Sequence, residues 1–327
     1  MVGTEQYDSA AAKLIGFVEG VWHPEDLVRL EGTPWVVVSA MRSIRGRGAL
    51  LAVDVMAEHP AFEIEWSPDA ETGRRSAEAF DPHGIDVRVL PDGRHEMLVV
   101  DHGAGEAIGR LQIDARKERP IIVSGERIEQ PIGTSGNAVA FLPGGGGFVI
   151  SSMFDPRDPD ILGKFARAEI TGGVWRWTEQ AGWMRVGPHL SGANGIAVSP
   201  DGNHVFVSEW AARKVWKLST TGAVEAQVFT DFLPDNLRWR SDGQLLLAGQ
   251  AARPEAVFGC EARGEPCPLA FATVHLDPLT LSVTSLVEVD EATAAAIGFG
   301  GATGALQVGH ELWIGSFTGH RLARFRF

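Results

Sequence analysis

The sequence predicts an all-β fold, a six-bladed β-propeller with a short N-terminal helix and a helical lid insertion near residues 155–170. Three observations carry this. A strand–turn–strand unit recurs in six copies along the chain. The copies are spaced by roughly the 40 to 60 residues of propeller blades. The 39 Gly and 10 Trp, in a chain with few helical windows, suit short strands joined by tight turns. The 327 residues could fill two average domains or one large repeat fold. The repeats choose the second: residues 1–23 as a lead-in and 24–327 as a single propeller domain.

Ser9 to Phe17, with Ala10, Ala11, Ala12, Leu14 and Ile15, has modest helical periodicity and reads as a helical lead-in. The first copy is Glu25 to Leu30, the break Glu31-Gly32-Thr33-Pro34, then Trp35 to Ser39. The second runs from His83 to Leu90, turns at Pro91-Asp92-Gly93, returns over Arg94 to Val100 and reaches Asp101-His102-Gly103. The third pairs Asn137 to Leu142 with Phe148 to Ser152. In the fourth, Asn194 precedes two apolar-alternating runs, Ile196 to Ser199 and His204 to Ser208, about the turn Pro200-Asp201-Gly202; this is a β-hairpin. The fifth is Asp235 to Arg240 and Gln244 to Ala248 about Ser241-Asp242-Gly243. A weaker sixth is Thr303 to Val308 and Glu311 to Ser316. Between the third and fourth copies, Asp160 is placed to cap a short helix carrying Ile161, Leu162 and Phe165 on one side. Such an insertion reads as a lid over one end of the structure, or equally as an ordinary surface helix.

The formal charge of -13 argues against nucleic-acid or anionic-membrane partners, which need a basic face. A small molecule or a cation is the expected partner. No apolar run approaches the ~18 residues of a membrane span, and the start lacks the basic-then-apolar pattern of a secretory signal. The expectation is a cytoplasmic protein without a membrane anchor. Cys260 and Cys267 lie close together in a Gly/Pro/Glu-rich loop, so no disulfide framework holds the fold. A local bridge and two free thiols both remain open.

Inner strands of a propeller all run the same way along a central channel, so residues at one place in each copy form a ring. That ring is Glu25, His83, Asn137, Asn194, Asp235 with Asn236, and Thr303. At a single site, turn chemistry explains an Asn or Asp. Gly or Ser would serve a turn as well, so the recurrence at one repeat position points instead to a hard-oxygen shell. Calcium, with six to eight oxygen ligands in flexible geometry, suits it. Zinc would want a His or Cys cluster, and none is visible. His83 lies on the ring and His102 follows the next strand of the same copy, so antiparallel pairing would bring the imidazoles together. Beside a cation, a neutral imidazole can accept a proton from water.

At these residues the chain resembles the paraoxonase/arylesterase family, calcium-dependent six-bladed propellers that hydrolyse lactones and aryl esters. Pro24-Glu25-Asp26-Leu27 is similar to the family's Glu-Asp-Leu, Asp81-Pro82-His83-Gly84-Ile85 to its Asn-Pro-His-Gly-Ile, and Leu98-Val99-Val100-Asp101-His102 to its Leu-Val-Val-Asn-His. Ala193-Asn194-Gly195-Ile196 with Ser199-Pro200-Asp201-Gly202, and Leu233-Pro234-Asp235-Asn236, extend the likeness in order. Gluconolactonase and strictosidine-synthase-like propellers share parts of it. The resemblance implies Glu25, Asn137, Asn194, Asp235 and Asn236 as ligands of a catalytic Ca2+, His83 and His102 as a dyad that activates water, and Thr303 and Phe317 as pocket lining. The family's second, structural calcium would retain Asp26 and the Ile85 carbonyl, but Ala138 stands where an Asp belongs, so this site is expected to be weakened or absent. Gly192 replaces an aromatic beside Asn194. The implied function is calcium-dependent hydrolysis of a small-molecule lactone or aryl ester. The alternatives are the same cation serving a sugar lactonase, phosphotriesterase, lyase or isomerase, or a non-catalytic binding propeller stabilised by calcium.

Overall fold

The chain forms the expected propeller. The computed structural model describes residues 12–42, 47–56, 60–71, 80–261 and 267–326. Six sheets, antiparallel except for one edge strand of blade two, close into a ring. Their inner strands are Pro24–Arg29, Pro82–Val89, Ser135–Phe141, Ala193–Val198, Leu233–Trp239 and Ala305–Val308, which begin blades one to six. Within a blade, the outermost strand is the least buried. The second strand of blade two, His95–Asp101, is buried throughout. The fourth strand of blade four, Val224–Phe229, alternates exposed and half-buried positions. This is why the sequence shows continuous apolar runs next to weakly patterned ones.

The core is a set of seams between blades. Leu50 and Met97 belong to the cluster between blades one and two, Val100 and Val139 to that between two and three, and Phe206 and Leu237 to that between four and five. Val38 and the fully buried Trp313 close the seam between blades six and one.

The lead-in differs from expectation. Residues 9–11 lie outside the described residues, but Lys13–Val18 is a strand rather than helix, and it pairs antiparallel with Leu322–Arg326 as the outer strand of blade six. Its partner supplies hydrogen bonds that outweigh the modest helical propensity of this stretch. The propeller therefore begins within the segment read as a separate lead-in. Blade two also carries an unforeseen fifth strand, Trp66–Glu71, parallel to Ile121–Glu129.

Three helices occur among the described residues: α1 (Ile161–Ala166), α2 (Pro254–Glu261) and α3 (Glu291–Ile297). α1 falls where the insertion was expected. Asp160 stands at its N-cap without a capping bond; its carboxylate instead accepts from Arg167 Nη2 at 2.8 Å. Cys260 at the end of α2 is joined to Cys267 by a disulfide, both residues being buried. No helix among the described residues is long and apolar enough to cross a membrane.

Candidate active site

Thr303 precedes its inner strand, but every other ring residue sits just inside its own, at a break in strand pairing. Register shifts fall between Pro24 and Asp26, Pro82 and Ile85, Gly136 and Val139, Ala193 and Ile196, and Pro234 and Leu237. A bulge releases the residue from the ladder and re-aims its side chain. Five blades thus turn Glu25, His83, Asn137, Asn194 and Asp235 toward one cavity. Glycine permits the close approach: a Cβ on Gly195 would overlap the Asp235 carbonyl oxygen of the next blade. At Gly192, φ is +67° and a Cβ would crowd the Phe165 ring of α1, which occupies that space.

Among the described residues, four buried oxygens of this ring have no hydrogen-bond partner: Glu25 Oε2, Asn137 Oδ1, Asn194 Oδ1 and Asp235 Oδ1. Orphaned buried acceptors are costly and call for an explanation. The other oxygens of the two carboxylates are tied back. Asn236 Nδ2 donates to Glu25 Oε1 at 2.7 Å, and Gln250 Nε2 donates to Asp235 Oδ2 at 2.7 Å. Gln250 is itself fixed by the Trp210 indole N–H at 2.8 Å. Burial pushes both the Glu25 and Asp235 carboxyls well above the ordinary carboxylate range, Asp26 adding to the effect on Glu25 and Glu25 to that on Asp235. A divalent cation would supply what the four oxygens lack and offset the buried charge. Among the described residues no three His, Cys, Asp or Glu side chains cluster as metal ligands. The donors here are two carboxylates and two amides, and the set fits an oxygen-seeking ion such as calcium.

Beside this ring, His83 Nδ1 is 3.0 Å from His102 Nε2. His102 Nδ1 lies 2.9 and 3.0 Å from the two oxygens of Glu106. A carboxylate can only accept, so Nδ1 of His102 donates to it and Nε2 of His102 accepts from His83 Nδ1. That leaves His83 Nε2 as the acceptor facing the ring, 3.2 Å from Asn137 Nδ2 and 3.5 Å from Glu25 Oε1. Burial, then His102, pulls the His83 pKa down to about 3. Burial also works to lower that of His102, but the hydrogen bond and charge of Glu106 prevail and raise it. Asp101 fixes both histidine turns, its Oδ1 accepting from the Asp81 and Gly103 backbone N–H at 3.0 and 2.9 Å.

The cavity above is about 370 Å³, with Phe154, Trp210, Val257, Phe258 and Phe317 on its walls. Phe165 of α1 stacks parallel on Phe258 of α2, centroids 5.7 Å apart, and meets Trp210 edge-on at 5.5 Å. α1 therefore buttresses the wall, and α2 supplies it. Thr303 lines the cavity, but its hydroxyl donates to the Glu25 carbonyl at 2.7 Å. Asp26 Oδ2 and the Ile85 carbonyl also come together, with the Arg238 guanidinium bonded to both. Glu106, Gln250 and Arg238 were not singled out from the sequence. Only Glu106 had a local signal, its spacing of four from His102; Arg238 reaches Asp26 across 212 residues.

Fold and ring together define a six-bladed propeller with a polar, oxygen-rich seat at one end of its channel. Solved six-bladed propellers share this fold along almost the whole chain. A gluconolactonase from Xanthomonas campestris matches with a TM-score of 0.58 at 16% identity, covering 98% of this chain and 95% of that one. A putative gluconolactonase matches at 0.57 and 15%, covering 97% and 92%, and a luciferin-regenerating enzyme at 0.58 and 12%, covering 96% and 94%. At these identities the likeness is one of fold. No protein-family model and no curated protein matches the sequence.

Proposed function

We propose that the chain is a calcium-dependent hydrolase that opens lactones or cleaves aryl esters, as its resemblance to the paraoxonase/arylesterase family implies. The observation that carries this is the set of four buried, partnerless oxygens beside a hydrogen-bonded histidine pair, under a cavity with aromatic walls. Glu25, Asn137, Asn194 and Asp235 would hold the ion, with Asn236 orienting Glu25 and Gln250 orienting Asp235. When bound, calcium supplies Lewis-acid stabilisation of negative charge developing on a carbonyl oxygen. The protein's own residues supply the rest. Glu106 and His102 together keep Nε2 of His83 free of its proton, so that it can take one from water as the water adds to the carbonyl. The products are the hydroxy acid from a lactone, or the acid and phenol from an aryl ester. Phe154, Trp210, Phe258 and Phe317 exclude bulk water and favour flat or apolar groups over polyhydroxylated ones.

Hydrolysis of a sugar lactone is the second reading, favoured by the gluconolactonase folds the chain is similar to. A panel of γ- and δ-lactones, aryl esters and sugar lactones, run with calcium and with excess chelator, tests both. Turnover that survives chelation would sink the calcium dependence, and no turnover of any member would sink the hydrolase reading.

A further inference from the structure

The channel holds a second acidic group, and it already has its cation. Arg238, on the inner strand of blade five, places Nη2 against both Asp26 Oδ2 of blade one and the Ile85 carbonyl of blade two. Its Nη1 lies 3.6 Å from Asp86 Oδ1, also of blade two. Blade two is directly across the ring from blade five, so the side chain spans the channel. Asp26 is 1% exposed, and its two oxygens also accept the Leu27 and Ile85 backbone N–H groups at 2.8 and 2.9 Å. Asp86 Oδ2 accepts the Phe141 N–H of blade three at 2.8 Å. These are the oxygens a second metal ion would need. The guanidinium holds them, and Ala138 has no side-chain oxygen to add. By contrast, among the described residues no lysine or arginine is paired with the Glu25 or Asp235 oxygens at the cavity end, where His83 Nε2 lies 3.5 Å from Glu25 Oε1.

We propose that Arg238 is a built-in replacement for a second metal ion, so that this propeller takes one divalent cation, in the ring, and keeps its fold without any. A guanidinium is always charged, donates in a planar fork and cannot be removed by a chelator. The inner half of the channel is therefore compensated permanently, and only the cavity end depends on a dissociable ion. The count of one rests on the proposed calcium seat; the Arg238 clamp stands on its own contacts.

The test uses the full chain, stripped with chelator and then titrated calorimetrically with Ca2+ alone, alongside melting curves. One calcium per chain is expected. In chelator, Arg238→Met is expected to lower Tm by about 5 °C or more, because it leaves buried carboxylates unpaired. Arg238→Lys is expected to recover part of that loss, since it keeps the charge but not the fork. The double variant Arg238→Ser with Ala138→Asp should take up two calcium ions. Two ions bound by the unmodified protein, or Arg238→Met melting with it in chelator, would overturn the proposal. No calcium bound, with Arg238→Met still destabilised, would remove the ring as the seat and leave Arg238 as the channel's cation.

Discussion

His83 and His102 meet edge to face, their rings 5.1 Å apart at 76° and joined by a 3.0 Å Nδ1–Nε2 contact, with Glu106 behind His102. The tautomer of both rings therefore descends from one carboxylate. Glu106→Gln keeps the shape but presents an amide that can donate. It is expected to lower kcat about 100-fold with KM little changed. Glu106→Asp should recover part of the rate. In proton NMR, the downfield imidazole N–H of His102 should be lost in the Gln variant; its persistence would show that Glu106 does not set the tautomer.

Asp235→Asn should have opposite effects with and without calcium. Without the ion, the substitution removes a buried charge that Glu25 opposes, and Tm should rise. With calcium, the variant loses a charged ligand, and Kd should weaken about 10-fold or more. Melting curves and a calcium titration read both signs. A lower Tm in chelator would contradict the charge argument.

The chelated protein should also become less stable as pH rises. The folded-state pKa values of Glu25 and Asp235 lie above their ordinary values of 4.5 and 3.8. Above those values the unfolded chain releases protons that the folded chain retains, so stability falls with each step in pH until the folded groups ionise. Saturating calcium, which binds the ionised form, should flatten or reverse the slope. Urea unfolding between pH 4 and 8, with and without the ion, checks it; equal slopes in the two conditions would refute it.

Phe258 belongs to α2, whose end is held by the Cys260–Cys267 bridge. Phe258→Ala should raise KM for apolar lactones about 10-fold or more, through lost burial, and leave small lactones little affected. Cys260→Ser should shift the same KM in the same direction by loosening the wall. A KM that rises equally for every substrate would point to general unfolding instead.

What the sequence revealed depended on how local the cause was. Turns such as Pro91-Asp92-Gly93 and Pro200-Asp201-Gly202 declare themselves, because two or three adjacent residues determine them. The ring residues were legible because they recur at one repeat position. Lys13–Val18 was not, since only Leu322–Arg326, at the other end of the chain, makes it a strand. Arg238 has the same difficulty: nothing around it in sequence distinguishes it from a solvated arginine, and its carboxylate and carbonyl partners come from blades one and two. The bulges that aim the ring were hidden too, because a bulge is a relation between two strands.

The bulges have one more consequence. The four partnerless oxygens come from blades one, three, four and five, between residues 25 and 235. An ion held by them would be a cross-link among distant segments, stitching the ring across its axis as well as around its rim. Cation affinity then becomes a gauge of how tightly the circle is closed. Any change that lets blade six spring open, however far from the cavity, should appear first as a leak of calcium and only later as unfolding.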